Sequence, residues 1–136
     1  MGALFSLVTL GAALIAILVG GLSVANTMVM AVTERVREIG IKKAVGATTG
    51  AILREYIMES AILGLLGGLI GVAAGAAFVS VVNSLTAGQG TTIFALTPRL
   101  AIGAVLASGL LGVVAGLYPA IRAARLDPVR ALRSAG

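Results

Sequence analysis

The chain has 136 residues, 59% of them hydrophobic and 11% charged, with ten basic and five acidic side chains giving a net charge of +5. That length bounds it to one domain or a piece of one, and so few charges cannot clothe a soluble domain, which points to a membrane protein. Cysteine and histidine are both absent, excluding disulfides, thiolate chemistry and the commonest general base and metal ligand.

The first apolar segment, 3–32, carries no charge. As a helix it would reach ~45 Å at 1.5 Å per residue, against a hydrocarbon core of about 30 Å, so it should tilt or project beyond one bilayer face. A secretory signal fits badly, because Met1-Gly2-Ala3-Leu4 holds no Lys or Arg and the apolar run is too long. Asn26, Thr27 and Thr33 mark the C-terminal end as the one that emerges. Ala12, Ala16 and Gly20 form a small-residue stripe on which another helix can approach closely.

The charges begin abruptly in the connecting loop, 34–59, with Glu34, Arg35, Arg37, Glu38, Lys42 and Lys43. Gly40 and Gly46 each offer a left-handed helix end, leaving 41–45 for about one turn. Val36, Ile39, Ile41 and Val45 offer an apolar edge among the charges. Thr48 or Thr49 then caps a helix beginning near Ala51. Its apolar face holds Ile52, Leu53, Tyr56 and Ile57, with Arg54, Glu55 and Glu59 towards the other side. A bare connector needs only basic residues at a cytosolic membrane face. The glutamates, glycine breaks and isoleucines together point instead to a compact element able to dock into a partner's cleft, with ion pairs setting register.

Segment two, 60–82, is uncharged, with Gly67, Gly71 and Gly75 at every fourth position and Gly64 and Gly68 as a second such pair. Glycines in register predict a close helix–helix contact. Residues 83–98 are polar and turn-rich and are expected as a loop on the opposite side. Thr97-Pro98 predicts an N-cap followed by proline at the first helical position. Segment three, 99–121, carries Ser108, Gly112 and Gly116 as its small stripe, and Pro119 should kink or loosen its final turn. In the tail, 122–136, Asp127 can cap and Pro128 can begin a short helix, 129–134, bearing Arg130 and Arg133.

The expected fold is therefore an all-α integral membrane protein with three transmembrane helices and a charged loop between the first and second. Nine of the ten basic residues lie in that loop and the tail, with Arg99 alone on the other face. That asymmetry predicts a multi-pass protein of the cell membrane with its N-terminus outside and its C-terminus in the cytosol. No basic stripe interleaves with aromatics, so nucleic acid is not an expected partner. No span carries a central charge of the kind ion and proton pathways use. Gly46 and Gly67-Gly68 are followed by no Gly-Lys-Ser or Gly-Lys-Thr, so neither is a phosphate loop. No catalytic residues, metal ligands or directly bound cofactor are expected, and an enzyme is not.

The run Thr33-Glu34-Arg35-Val36-Arg37-Glu38-Ile39-Gly40-Ile41-Lys42-Lys43-Ala44-Val45-Gly46-Ala47 is followed by Ile52-Leu53-Arg54, Glu59 and a glycine-rich span. Then come Tyr118-Pro119-Ala120, Ala123-Ala124, Asp127-Pro128 and Ala131-Leu132-Arg133. Nearly end to end, this order resembles the C-terminal part of FtsX-like (MacB-type) ABC transporter permeases. The resemblance makes the three spans the second, third and fourth of a four-helix permease. Against that pattern the first helix and the extracytoplasmic domain are missing, so the chain is expected to be a fragment or the product of a split gene.

The resemblance further implies that the loop contains a cytosolic coupling helix contacting a separate ABC ATPase subunit or domain, which would hold ATP and Mg. Glu34, Arg35, Arg37, Glu38, Ile41, Lys42 and Lys43 would form the docking element, with Gly40 and Gly46 shaping its turns. Gly67, Gly71, Gly75, Gly112 and Gly116 would be packing positions, and the tail would brace the element through Arg122, Asp127, Pro128 and Arg130. A second permease copy would complete the machine, which in this family exports macrolides or peptides, releases lipoproteins or regulates cell-wall hydrolysis. The alternatives are a non-transporting regulatory or scaffold subunit, and a small oligomeric transporter that needs no ATPase.

Overall fold

Long unbroken apolar runs make long helices, and the computed structural model, which describes residues 2–86 and 97–127, contains three of them. The order is α1 (Gly2–Glu34), α2 (Val36–Ala44), α3 (Thr49–Thr86) and α4 (Pro98–Ala124). Among the described residues there is no strand. Helices α1, α3 and α4 are each long and apolar enough to cross a membrane. Exposed Leu4, Phe5, Val8, Leu18, Ile70, Phe78 and Leu110 give them the apolar outer surface that lipid requires.

The segment expected as a connecting loop is mostly helical. A single residue, Arg35 (φ −106°, ψ 14°), separates α1 from α2. Its N–H is shared between the carbonyls of Ala31 and Val32, and its own carbonyl accepts from Ile39 N–H at 2.9 Å. Helix α2 then runs straight through Gly40, which does not break it. The break falls at Gly46, whose φ of +107° lies in the left-handed region. There Ala47 N–H reaches the Lys42 carbonyl and Gly46 N–H the Lys43 carbonyl, the paired bonds of a Schellman turn. Any other residue at 46 would carry a left-handed penalty of roughly 1–2 kcal/mol.

Of the two threonines that were candidates, Thr48 is the cap: its hydroxyl accepts from Ala51 N–H at 3.2 Å. From there α3 continues without interruption into the membrane segment, because nothing between Gly50 and Gly64 disfavours a helix. Pro98 opens α4 as predicted, but the Thr97 hydroxyl makes no capping bond to it. Proline has already removed one of the unpaired donors there. Pro119 does not end α4, which extends to Ala124.

Helices α3 and α4 pack along a seam of small residues. A Cβ on Gly64 would stand 2.5 Å from the carbonyl oxygen of Ser108, and one on Gly68 2.9 Å from the Ser108 Cβ. On the facing helix, Gly109 lies under Leu65, while Gly112 and Gly116 lie against Ser60. Beyond this crossing the two helices diverge. Gly67, Gly71 and Gly75 line one wall of an open groove of about 530 Å³, with Leu100, Ala101 and Ala104 opposite. A Cβ on any of those three glycines would meet nothing within 4 Å. The close contact expected of that stripe is made instead by Gly64 and Gly68, one helical face away.

Helix α1 leans on α4 and barely touches α3. The residue that approaches α4 is Gly21, 3.6 Å from Leu111 by its notional Cβ, whereas Gly20 meets nothing. The buried core lies at the α2 end, where all four helices meet: Met28 and Val32, Ile39, Ile52 and Tyr56, and Ala120, Ala123 and Ala124.

Candidate functional site

The dense cluster of charges and the tertiary core coincide at α2, and each residue's position on that helix decides what it can do. A nine-residue helix is too short to hold itself together in water. It is held here by its inward face, where Ile39 is 2% exposed and Gly40 is buried. One turn further along that side, Lys43 is half-buried. Its Nζ donates to the carbonyl oxygens of Ala124 at 2.5 Å and Leu126 at 2.8 Å. These acceptors lie where α4 ends, so the ammonium meets carbonyls that a helix leaves unpaired and the negative end of its dipole.

The lateral face carries Lys42. Its Nζ donates to Glu55 Oε1 on α3 at 2.8 Å and lies 3.2 Å from Glu38 Oε1, one turn back on α2. The hydrogen bond to Glu55 raises the Lys42 pKa above its ordinary 10.5, partial burial opposes this, and Glu38 adds to the rise. Both contacts are ion pairs.

The outward face is open. Ile41 is 47% and Val45 83% exposed, large apolar side chains at the end of the bundle where the charges collect. Glu34, Arg35, Arg37 and Ala44 are exposed as well. The expected docking set therefore divides. Arg37 and Ile41 point outward, with Val45 of the apolar edge exposed beside them. Lys42 ties α2 to α3 and pairs with Glu38 within α2, and Lys43 ties α2 to α4.

The remaining predicted positions lie elsewhere. Arg122 is exposed in the last turn of α4. With Pro119 it faces Val29, Val32 and Thr33 of α1 across a small crevice. Asp127 is exposed just past that helix. Pro128, Arg130 and the short helix 129–134 fall outside the described residues, as do 87–96 of the expected loop. Gly112 and Gly116 sit at the α3–α4 seam, while Gly67, Gly71 and Gly75 line the groove.

Sequence reasoning passed over Ser60, which is fully buried beneath Gly116 and donates to the Ile57 carbonyl at 2.9 Å. It also passed over the bond from Ser108 to Gly64. The four-residue spacing of Ser60 with Gly64 and Gly68, and of Ser108 with Gly112 and Gly116, was the available signal.

Comparison with known proteins adds a separate line of observation. Residues 10–128 match the FtsX-like permease C-terminal family. An uncharacterised ABC transporter permease, YknZ of Bacillus subtilis, is 46% identical over 119 residues, 88% of this chain and 29% of the relative. The macrolide export ATP-binding/permease protein MacB of Nitrobacter winogradskyi is 42% identical over 120 residues, 88% of this chain and 18% of its own length. An uncharacterised ABC transporter permease of Methanocaldococcus jannaschii is 38% identical over 125 residues, 90% of this chain and 31% of the relative. The chain thus spans less than a third of the length of these relatives. With three membrane-length apolar helices and a family match covering most of its residues, the chain belongs to the FtsX-like permease C-terminal family.

Proposed function

We propose that this chain is the transmembrane permease part of an ATP-binding-cassette system, and that α2 is the element through which a partner ATPase acts on the spans. The observation that carries the reading is the division of α2 into two roles. Its inner and lateral faces are fastened to α3 and α4, while Ile41 and Val45 stand exposed in the segment that also exposes Glu34, Arg35 and Arg37. An apolar knob on a fastened helix is suited to seating in a cleft and passing displacement inward. The surrounding charges would steer and register the partner more than they would add affinity.

On this reading ATP and Mg are bound by the partner, and the α2 end faces the cytosol, in keeping with the nine basic residues assigned to that face. The N-terminus of α1 then lies outside. A second permease copy, and the helix and extracytoplasmic domain of longer family members, would complete the assembly. The work done would be export, lipoprotein release or transmembrane signalling.

Charge reversal at Arg37 and Glu38, combined with Ile41→Asp, tests the docking claim. Co-purification with the ATPase and stimulated ATP hydrolysis should both be lost; unchanged values would refute it. Sidedness is tested separately, since the chain has no cysteine of its own. A single Val45→Cys should react with an impermeant maleimide from the cytosolic side, and reaction from outside would overturn the orientation.

A further inference from the structure

We infer that Lys43 is the mechanical link between α2 and α4, and not a contact to the partner. Resting on the proposed function above, this assigns to one side chain the step by which movement of the docked helix reaches the fourth helix. Two cations leave α2 for other helices, and their surroundings differ. The Lys42 side chain is 39% exposed and its Glu55 partner 49% exposed, so that tie is shared with water and weakened by salt. Lys43 is half-buried and bridges 81 and 83 residues of sequence to two main-chain carbonyls. A hydrogen bond from an ionised donor is the stronger kind.

The choice of acceptor matters. Because Ala124 and Leu126 accept through backbone oxygens, the ammonium grips the α4 main chain itself and not a side chain that can change rotamer. It does so where the helix ends, at Arg125, so a shift of α2 acts on the end of α4 as a lever. Helices α3 and α4 are meanwhile locked together at the Gly64–Ser108 crossing. Displacement delivered through Lys43 therefore acts on one side of a stiff pair. With its Nζ committed to these two carbonyls, Lys43 has little left to offer a docking surface.

The test uses the 136-residue chain in lipid nanodiscs, with spin labels at Ala44→Cys and Arg125→Cys, both exposed positions. The unaltered background should give one narrow distance distribution between α2 and the end of α4. Lys43→Met should broaden it at least two-fold, and Lys43→Arg should restore it. A control pair at Met58→Cys and Tyr118→Cys, exposed on α3 and α4, reports whether the bundle is folded and should not change. If Lys43→Met disturbs the control pair as well, Lys43→Gln, which keeps a donor, should broaden the 44–125 distribution alone; failing that, the link is refuted.

With the ATPase present, Lys43→Met should retain partner binding within about two-fold. It should abolish the nucleotide-dependent change at α4. An unchanged 44–125 distribution, or loss of binding as large as that of the Arg37 and Glu38 reversal, would overturn the assignment. Absence of any ATPase binding by the unaltered chain would instead refute the proposed function. The distance measurement made without partner would still decide whether Lys43 fastens α2 to α4.

Discussion

The Ser108 hydroxyl donates to the main-chain carbonyl oxygen of Gly64 at 2.7 Å, joining α4 directly to the backbone of α3. Such a bond forms only where two helix backbones come close, and the glycines on both sides make that approach possible. At the same place stand Gly112 and Gly116 over Ser60. Among the described residues α3 and α4 make the most extensive helix–helix contact.

Gly64→Ala and Gly112→Ala should therefore force α3 and α4 apart, since each new Cβ runs into backbone with no side chain to give way. Overpacking of this kind costs about 1–3 kcal/mol. Gly67→Ala and Gly71→Ala, whose Cβ atoms enter the open groove, should leave stability unchanged or slightly improved. Reversible unfolding in mixed detergent measures the difference; equal losses at all four positions would contradict the assigned seam.

Two isoleucines of α2, two residues apart, should separate stability from docking. Ile39 is in the core with Ile52 and Tyr56, and Ile39→Ala should cost about 2–5 kcal/mol by leaving a cavity. Ile41 is half exposed, and Ile41→Ala should shift the unfolding midpoint by no more than about 0.5 kcal/mol equivalent. The same Ile41→Ala variant should weaken ATPase binding at least several-fold. A large stability loss at Ile41 would mean that its outward position is wrong.

Lys42 should make a small contribution with a defined pH limit. Both partners are more than a third exposed, so Lys42→Met should cost less than about 1 kcal/mol and the cost should shrink in high salt. Its pKa is higher in the fold than the ordinary 10.5, chiefly through the bond to Glu55. A cation of that kind contributes fully below 10.5 and loses its contribution as pH rises through the folded value. Unfolding measured with and without Lys42→Met should differ by a constant amount through neutral pH and converge only above 10.5. Convergence near pH 8 would rule out the proposed cause.

Much of the architecture is legible in the sequence. The length and apolarity of three runs declare three spans, and this is local information, because a backbone in lipid must satisfy its own hydrogen bonds by forming helix. Turn chemistry was nearly as direct. Gly46 needs its left-handed φ, Thr48 caps and Pro98 starts a helix. Gly40 looks like a break in the sequence and is none in the fold, because glycine signals freedom without saying how it is used. Here it lies buried inside α2.

Which stripe on a helix meets its neighbour was not legible, and the glycines of α3 are the instructive example. Gly67, Gly71 and Gly75 repeat as regularly as Gly64 and Gly68, yet only the second pair lies in the seam. One helix's periodicity names its possible faces, while the partner's matching small residues choose among them. The charged element was likewise found as a cluster but not resolved into roles, because Glu38, Lys42 and Lys43 are neighbours in sequence with different surroundings in space.

By itself, then, the order of residues determined the membrane class, the number of spans and the place where charge gathers, all of which follow from the solvation of short stretches. The tertiary structure alone decided that Lys42 reaches Glu55, that Lys43 holds the end of α4, and that Ile41 and Val45 remain uncovered. The physical reason is one of range. Solvation and turn preference act within a few residues, whereas an ammonium and a carbonyl 81 positions apart meet only after four helices have converged on a common core.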